Sequence, residues 1–247
     1  MTDYINDYFK KVQDMQKAVL DQQKVNIEKA GQLFAQTIKN GGTLWAFGAS
    51  HAGILAEELF YRTGGLALIN PLFNPTLMLN TRPTTVTSQM ERLNGFGNVI
   101  LDGSAAKAGD TILLHSVSGR NTVSIDMAIA AKEKGLNVIV ITNMEYTKKV
   151  TSRHPSGKNL FEFADILIDN HGEFEDSSML LDGMNQKIGP TSSVVGCMIV
   201  NMMVISTVDN LLKLGIEPPV FRSANVDGGD EANKFIFEKY KENIHYM

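Results

Sequence analysis

Apolar residues recur at helical spacing through the first forty positions. Ile5, Phe9, Val12, Met15 and Val19 share one face, and Ile27, Ala30, Phe34 and Ile38 form a second stripe. The polar run Asp21–Lys24 between them predicts a bend between two helices, and Asn40-Gly41-Gly42 ends the pattern. The texture then changes. Thr43–Phe47, Leu66–Ile69, Thr111–His115, Val138–Ile141 and Ile166–Ile168 are short apolar runs bounded by turn residues, the signature of buried strands, and Val99–Leu101 adds a minor one. Helical stretches are expected over His51–Arg62, about Ser88–Leu93, Thr122–Lys134, Ser192 to about Leu214, and Glu231–Tyr240. The apolar centre of the fourth, Val194–Ile205, is shorter than the ~20 residues of a membrane span and is interrupted by Asn201, so it reads as a buried helix.

Short strands alternating with longer helices mean βαβ units, and right-handed crossovers then give a parallel sheet covered on both faces. The expected layout is one α/β domain over 1–247, with N-terminal helices to 40, an α/β core over 41–214 and a C-terminal tail and helix over 215–247. The 247 residues are 43% hydrophobic and 20% charged, ordinary globular usage. A net charge of −4 disfavours non-specific nucleic-acid binding. The single cysteine allows no intrachain disulfide, and no Cys/His set has zinc spacing. MTDYINDYFKK lacks an apolar signal core, so a cytoplasmic protein without membrane association is expected.

Ligands of open parallel sheets bind beyond the carboxyl ends of the strands. Three segments rich in small hydroxyl residues fall where helices begin: Gly48-Ala49-Ser50, Ser116-Val117-Ser118-Gly119 and Thr191-Ser192-Ser193. Helix N-termini present unpaired N–H groups and partial positive charge, a setting for a phosphate. Each segment alone also reads as an ordinary helix cap. Neither GxxxxGK[ST] nor GxGxxG occurs, which disfavours nucleoside triphosphates and dinucleotides.

The order strand–Gly48-Ala49-Ser50–helix, then Ser116-x-Ser118-Gly119, then Met127-Ala128-x-x-Ala131-Lys132-x-x-Gly135 leading to Val138–Thr142, resembles the sugar isomerase (SIS) domain family over roughly Gly41–Leu214. Ser118-Gly119-Arg120-Asn121 and His154-Pro155-Ser156-Gly157-Lys158 are similar to a bacterial branch labelled by analogy as phosphoheptose isomerases. The resemblance implies a three-layer sandwich around a five-stranded parallel sheet, flavodoxin/Rossmann-like, that binds phosphorylated sugars. By matching positions, Ser116, Ser118 and the Gly119 backbone would hold the phosphate, with Ser50 from the first turn. Gly48, His51, Arg120, Asn121, Thr191 and Ser192 complete the expected binding set, Asn121 standing where the family often has threonine. Family members pair or form tetramers with sites at subunit junctions, so a homodimer or homotetramer is implied.

Aldose–ketose isomerisation needs a base for carbon and a group that shuttles protons between oxygens, without metal or cofactor. Ala56-Glu57-Glu58-Leu59 resembles the glutamate-bearing helix of phosphoheptose isomerases, making Glu58 the candidate base and Glu57 its rival. His154 and His171, on loops after strands, are candidate shuttles; His115 reads as buried and structural, and His245 as tail. Phosphoheptose isomerases carry a histidine on their last long helix, whereas Thr191–Leu214 offers Asn201, Asp209 and Asn210. Glu173–Asp176 with His171 reads as a solvated acidic loop or, less simply, a divalent-ion site, and Cys197 as a small buried hydrophobe. A non-catalytic phosphosugar sensor, and an amino-sugar-phosphate deaminase or lyase, remain open beside the isomerase.

Overall fold

The computed structural model describes residues 3–247. α1 (Tyr4–Lys39) is one unbroken helix of 36 residues, so the bend expected at Asp21–Lys24 is absent. The spacing explains why. Val19, Gln23 and Ile27 follow at intervals of four and keep one seam facing inward. Gln23 is tolerated there because its amide meets the His171 ring at 3.2 Å and the Asp169 N–H at 3.4 Å.

The chain continues through β1 (Leu44–Gly48), α2 (Ile54–Leu59) and β2 (Ile69–Pro71). Next come α3 (Val86–Met90), α4 (Phe96–Asp102), β3 (Thr111–His115), α5 (Thr122–Glu133), β4 (Asn137–Thr142) and α6 (Met144–Thr147). It closes with β5 (Ile166–Asp169), α7 (Ser192–Lys213) and α8 (Gly229–Lys239). The strands form one five-stranded sheet in the order β2-β1-β3-β4-β5, every pair parallel. The two faces divide by alternation. Leu113, Ile139, Ile141 and Ile168 face α1, α2 and α7. Ile112, Leu114, Val138 and Val140 face α4 and α5. This is the expected three-layer α/β sandwich with an N-terminal helix.

Three local expectations need correction. Leu66 lies outside β2, in an isolated antiparallel bridge with Val220. Val99–Leu101 is helical, within α4: Leu101 is buried, and the Asp126 carboxylate of α5 accepts the Gly95 N–H at 2.7 Å where the helix begins. The helix expected over His51–Arg62 splits into a 3-10 turn (Ser50–Gly53) and α2, ending where Phe60 turns extended. There Phe60 joins an aromatic cluster with Phe73 and Tyr246. The expected apolar helix is borne out as α7. Its 22 residues reach a mean hydropathy of 1.6 over 18 residues, enough by length and composition to cross a membrane. In the fold its Val195, Ile199, Val200 and Met203 are buried in the core shared with α1 and α2.

Two buried polar residues hold the ends of the central strands. Asp110, fully buried before β3, accepts the N–H of Thr43 at 2.8 Å, the indole N–H of Trp45 at 2.9 Å and the N–H of Lys107 at 3.1 Å. It ties the start of β1 to β3. At the other end, the buried His115 ring bonds the Ala52 carbonyl through Nδ1 at 2.9 Å. A carbonyl only accepts, so Nδ1 carries the proton and Nε2, buried without a partner, is a bare acceptor. Burial lowers the His115 pKa, outweighing the Ala52 bond and the Asp176 charge, which raise it.

Replacing Asp110 with alanine orphans three buried donors, and each costs about 1–3 kcal/mol. D110A should therefore lose about 3 kcal/mol or more in urea unfolding; a loss under about 1 kcal/mol contradicts this role. His115 binds its proton more readily unfolded, at about 6.5, than folded. Its contribution is therefore complete above that pH and declines as pH falls through it toward the folded value. Wild type should lose stability relative to H115Q between about pH 7 and pH 5; parallel pH profiles contradict the assignment.

Candidate functional site

The sheet order reverses direction between β1 and β3. The chain leaves β1 toward β2 on one side and β3 toward β4 on the other, opening a crevice at their carboxyl ends. Gly48 and His115 are the paired terminal residues there. After Gly48 the 3-10 turn folds back so tightly that a Cβ on Gly48 would lie 2.3 Å from the Ala52 oxygen. Ser50 adopts a left-handed φ of 53° in this turn.

The second turn, Ser116–Gly119, is held from β4. The Thr142 hydroxyl donates to the Ser116 carbonyl at 2.7 Å, and the Asn143 N–H donates to the Val117 carbonyl at 3.1 Å. Gly119 has φ 63° and could bear no Cβ without approaching the Thr147 hydroxyl to 2.8 Å. Its N–H donates to the Ser116 hydroxyl at 3.3 Å, and Asn121 then stands at the N-cap position of α5 without a side-chain capping bond.

These two turns face one another across a cleft of about 200 Å³. Ser50 and His51 line it from the first turn, and Ser116, Ser118 and Asn121 from the second. Ser124 joins them one turn into α5, and Glu91, Tyr146 and Asp176 close the walls. The Glu91 carboxylate is held by both turns: Ser50 Oγ donates to one oxygen, and Asn121 Nδ2 donates to the other at 2.6 Å. Arg153 Nη1 in turn donates to Asn121 Oδ1 at 2.7 Å. Burial, then the like charges of Arg120 and Arg92, lower the Arg153 pKa, with Tyr146 and Glu91 opposing.

The third corner reaches the cleft only through a carboxylate. Asp176, at φ 52°, accepts the N–H groups of Thr191 at 3.1 Å and Ser192 at 2.9 Å, and the Ser192 hydroxyl at 2.5 Å. A negative group at the amino end of a 22-residue helix is well placed against the helix dipole. Thr191 and Ser192 are thus already engaged by Asp176, which itself lines the cleft.

The other expected residues divide clearly. Gly48 and Gly119 shape the turns, and Arg120 lies beside the second with its buried Nε unpartnered. Glu58 is not at the cleft: it pairs with Arg62 and accepts Asn201 Nδ2 of α7 at 2.7 Å, while Glu57 is exposed. His154 is pinned by Nε2 to Asp126 on α5 at 3.0 Å and by Nδ1 to Ser156 at 2.7 Å. His171 packs against Gln23 of α1. None of these three lines the cleft. The acidic loop is also dispersed. Burial would raise the Glu173 pKa, but hydrogen bonds and charge from Lys11 and Lys187 outweigh it and lower it, while Asp176 caps α7. Among the described residues, no three His, Cys, Asp or Glu side chains gather as metal ligands.

Glu91, Ser124 and Tyr146 line the cleft and were not singled out from sequence, and Asp176 entered only as part of the acidic loop. Ser124 was within reach, since it falls three residues after Asn121 on the same helix face. Glu91 falls in the helical stretch expected about Ser88–Leu93, but only tertiary packing carries the end of α3 to the cleft. Three larger hollows, about 580, 570 and 560 Å³, lie between the start of α1 and the Ser178–Lys187 loop, between α7 and α8, and between α1 and α7. None receives a residue of the turns.

Known proteins agree with this architecture. The SIS domain pattern matches residues 7–143. A UPF0309 protein of Shouchella clausii is 49% identical over 244 residues, covering 99% of both chains. In structure, the chain is similar to a phosphoheptose isomerase from Francisella tularensis, with TM-score 0.57 and 16% identity over 84% of this chain and 98% of that one. It is also similar to the Vibrio vulnificus NanR protein complexed with ManNAc-6P, with TM-score 0.50 and 13% identity over 98% of this chain and 70% of that one. Matched by that domain over more than half its length and by its relative almost end to end, the chain belongs to the SIS domain family.

Proposed function

We propose that this protein binds a phosphorylated sugar in the cleft between the Ser50 and Ser116–Gly119 turns and interconverts its aldose and ketose forms through an enediol. The observation that carries the reading is the convergence of both turns and the α5 N-terminus on one small cleft that also contains a carboxylate. The Ser116, Ser118 and Ser124 hydroxyls, with the amide end of α5, suit a phosphate, since neutral donors and a helix N-terminus accept a dianion without a counter-ion. That the phosphoheptose isomerase and the ManNAc-6P complex share this fold accords with a sugar phosphate as ligand.

Glu91 takes the role of carbon base in this reading, because it is the glutamate that lines the cleft. Ser50 and Asn121 hold its two oxygens and so fix its orientation toward a bound sugar. His51, an exposed ring on the same wall, is the group for moving protons between adjacent oxygens. Asp176 accepts from sugar hydroxyls. Glu58, His154 and His171 act elsewhere, in helix pairing and loop anchoring. Binding without turnover is the second reading, favoured by both Glu91 oxygens already being hydrogen-bonded. The reading also takes Ile5, Phe9, Leu20 and Val25 of α1 and Ile205 of α7, all exposed, as a surface for homodimer or homotetramer contacts.

Removing Ser118 and Ser124 hydroxyls together should weaken binding of a hexose 6-phosphate, each hydrogen bond to the charged group being worth about 1.5–3 kcal/mol. Calorimetry on S118A/S124A should show a dissociation constant raised about a hundredfold or more. An unchanged value overturns the phosphate assignment. E91Q should bind the same ligand within a few-fold yet exchange no carbon-bound proton with deuterated water. Exchange at the wild-type rate removes Glu91 from the chemistry, and absent exchange in wild type with intact binding favours the sensor.

A further inference from the structure

Beyond the phosphate end, Arg92, Arg120 and Arg153 lie near one another behind the Asn121 wall, outside the cleft lining. Arg153 is tied to the cleft wall through Asn121, and its backbone N–H donates to the Arg120 carbonyl at 2.9 Å. Arg92 follows Glu91 directly in the chain. Among the described residues Arg62 is the sole arginine in an ion pair, with Glu58; Arg92, Arg120 and Arg153 make none, and Glu91 is the nearby acidic charge that Arg153 feels. Arg120 Nε is buried without any hydrogen-bond partner. Gathering guanidiniums in a chain of net charge −4 has an electrostatic cost, which an anion between them would offset.

We propose that the natural ligand is a sugar phosphate bearing a second anionic group, a carboxylate or another phosphate, received by Arg153 with Arg92 and Arg120. The proposal rests on the phosphosugar reading above and names the class of substrate. The cleft separates the two charges physically. Ser50, Glu91, Asn121 and Arg153 form one chain of hydrogen bonds, so the Glu91 carboxylate and the Asn121 amide stand between the first turn and the guanidinium. Guanidinium forks match a carboxylate or phosphate edge with two parallel hydrogen bonds, whereas the hydroxyl end does not depend on ligand charge in this way. Arg120 and Arg92 stand near enough that their charges, after burial, lower the Arg153 pKa against the opposing Tyr146 and Glu91.

Titration calorimetry on the intact protein separates the possibilities, with glucose 6-phosphate, fructose 1,6-bisphosphate and 6-phosphogluconate as probes. The wild type should bind at least one doubly anionic probe about tenfold or more tightly than glucose 6-phosphate. Preference for the bisphosphate identifies a second phosphate, and preference for phosphogluconate a carboxylate. R153A and R92A, both at exposed positions, should abolish that preference and leave glucose 6-phosphate affinity within about twofold. Equal affinity of the wild type for all three probes overturns this inference and leaves the phosphosugar reading standing. So does an R153A variant that weakens all three alike, since the guanidinium then holds the sole phosphate. No binding of any probe overturns both.

Discussion

The parallel register that places Gly48 opposite His115 is the constraint on which the rest depends. Because β1 and β3 are neighbours whose outgoing chains diverge, two turns must leave the same sheet edge side by side. The tight return after Gly48 and the left-handed Gly119 keep backbone close to backbone at that edge. The buried groups at either end of the strands maintain the register: Asp110 gathers donors at the start, and His115 ties the first turn down at the finish. The cleft is therefore a consequence of topology, and the side chains around it decide its chemistry.

Charge within the cleft is distributed unevenly. Glu91 and Asp176 each satisfy donors that would otherwise await a ligand, one from the turns and one from the amino end of α7. They leave hydroxyls and the α5 terminus within the cleft, with the Arg153 guanidinium behind Asn121. A sugar ring between those ends would meet carboxylates along its hydroxyls. The pattern suits a polyhydroxylated anion better than a purely apolar or cationic ligand, because each polar wall then finds a complementary group.

Much of the fold was legible because its signals are local. Apolar runs between glycines marked β1, β3, β4 and β5, and the alternation with helices implied the parallel sheet. The order of those elements with the Ser116-x-Ser118-Gly119 turn carried the family. Errors arose where polarity was read without partners. Gln23 looked like a break in α1 until its bonds to Asp169 and His171 were visible. Val99–Leu101 looked like a strand although packing on α5 makes it helical. The turns that line the cleft were readable for the same local reason, and the carboxylates beside them were not. Glu58 sits on a helix of the expected kind, yet Asn201 and Arg62 hold it apart from the cleft, while Glu91 ends the short helix α3, whose place beside the turns is a tertiary fact. Asp176 was visible as part of an acidic cluster, but its left-handed backbone and its bonds to α7 are tertiary facts.

A crystal structure of the protein soaked with glucose 6-phosphate tests the central claim most directly. The phosphorus should sit within hydrogen-bonding reach of the Ser118 and Ser124 hydroxyls at the amino end of α5, with the sugar extending toward Glu91. Phosphate density in the hollow between α1 and α7, with the switch-point cleft left to water, would contradict it.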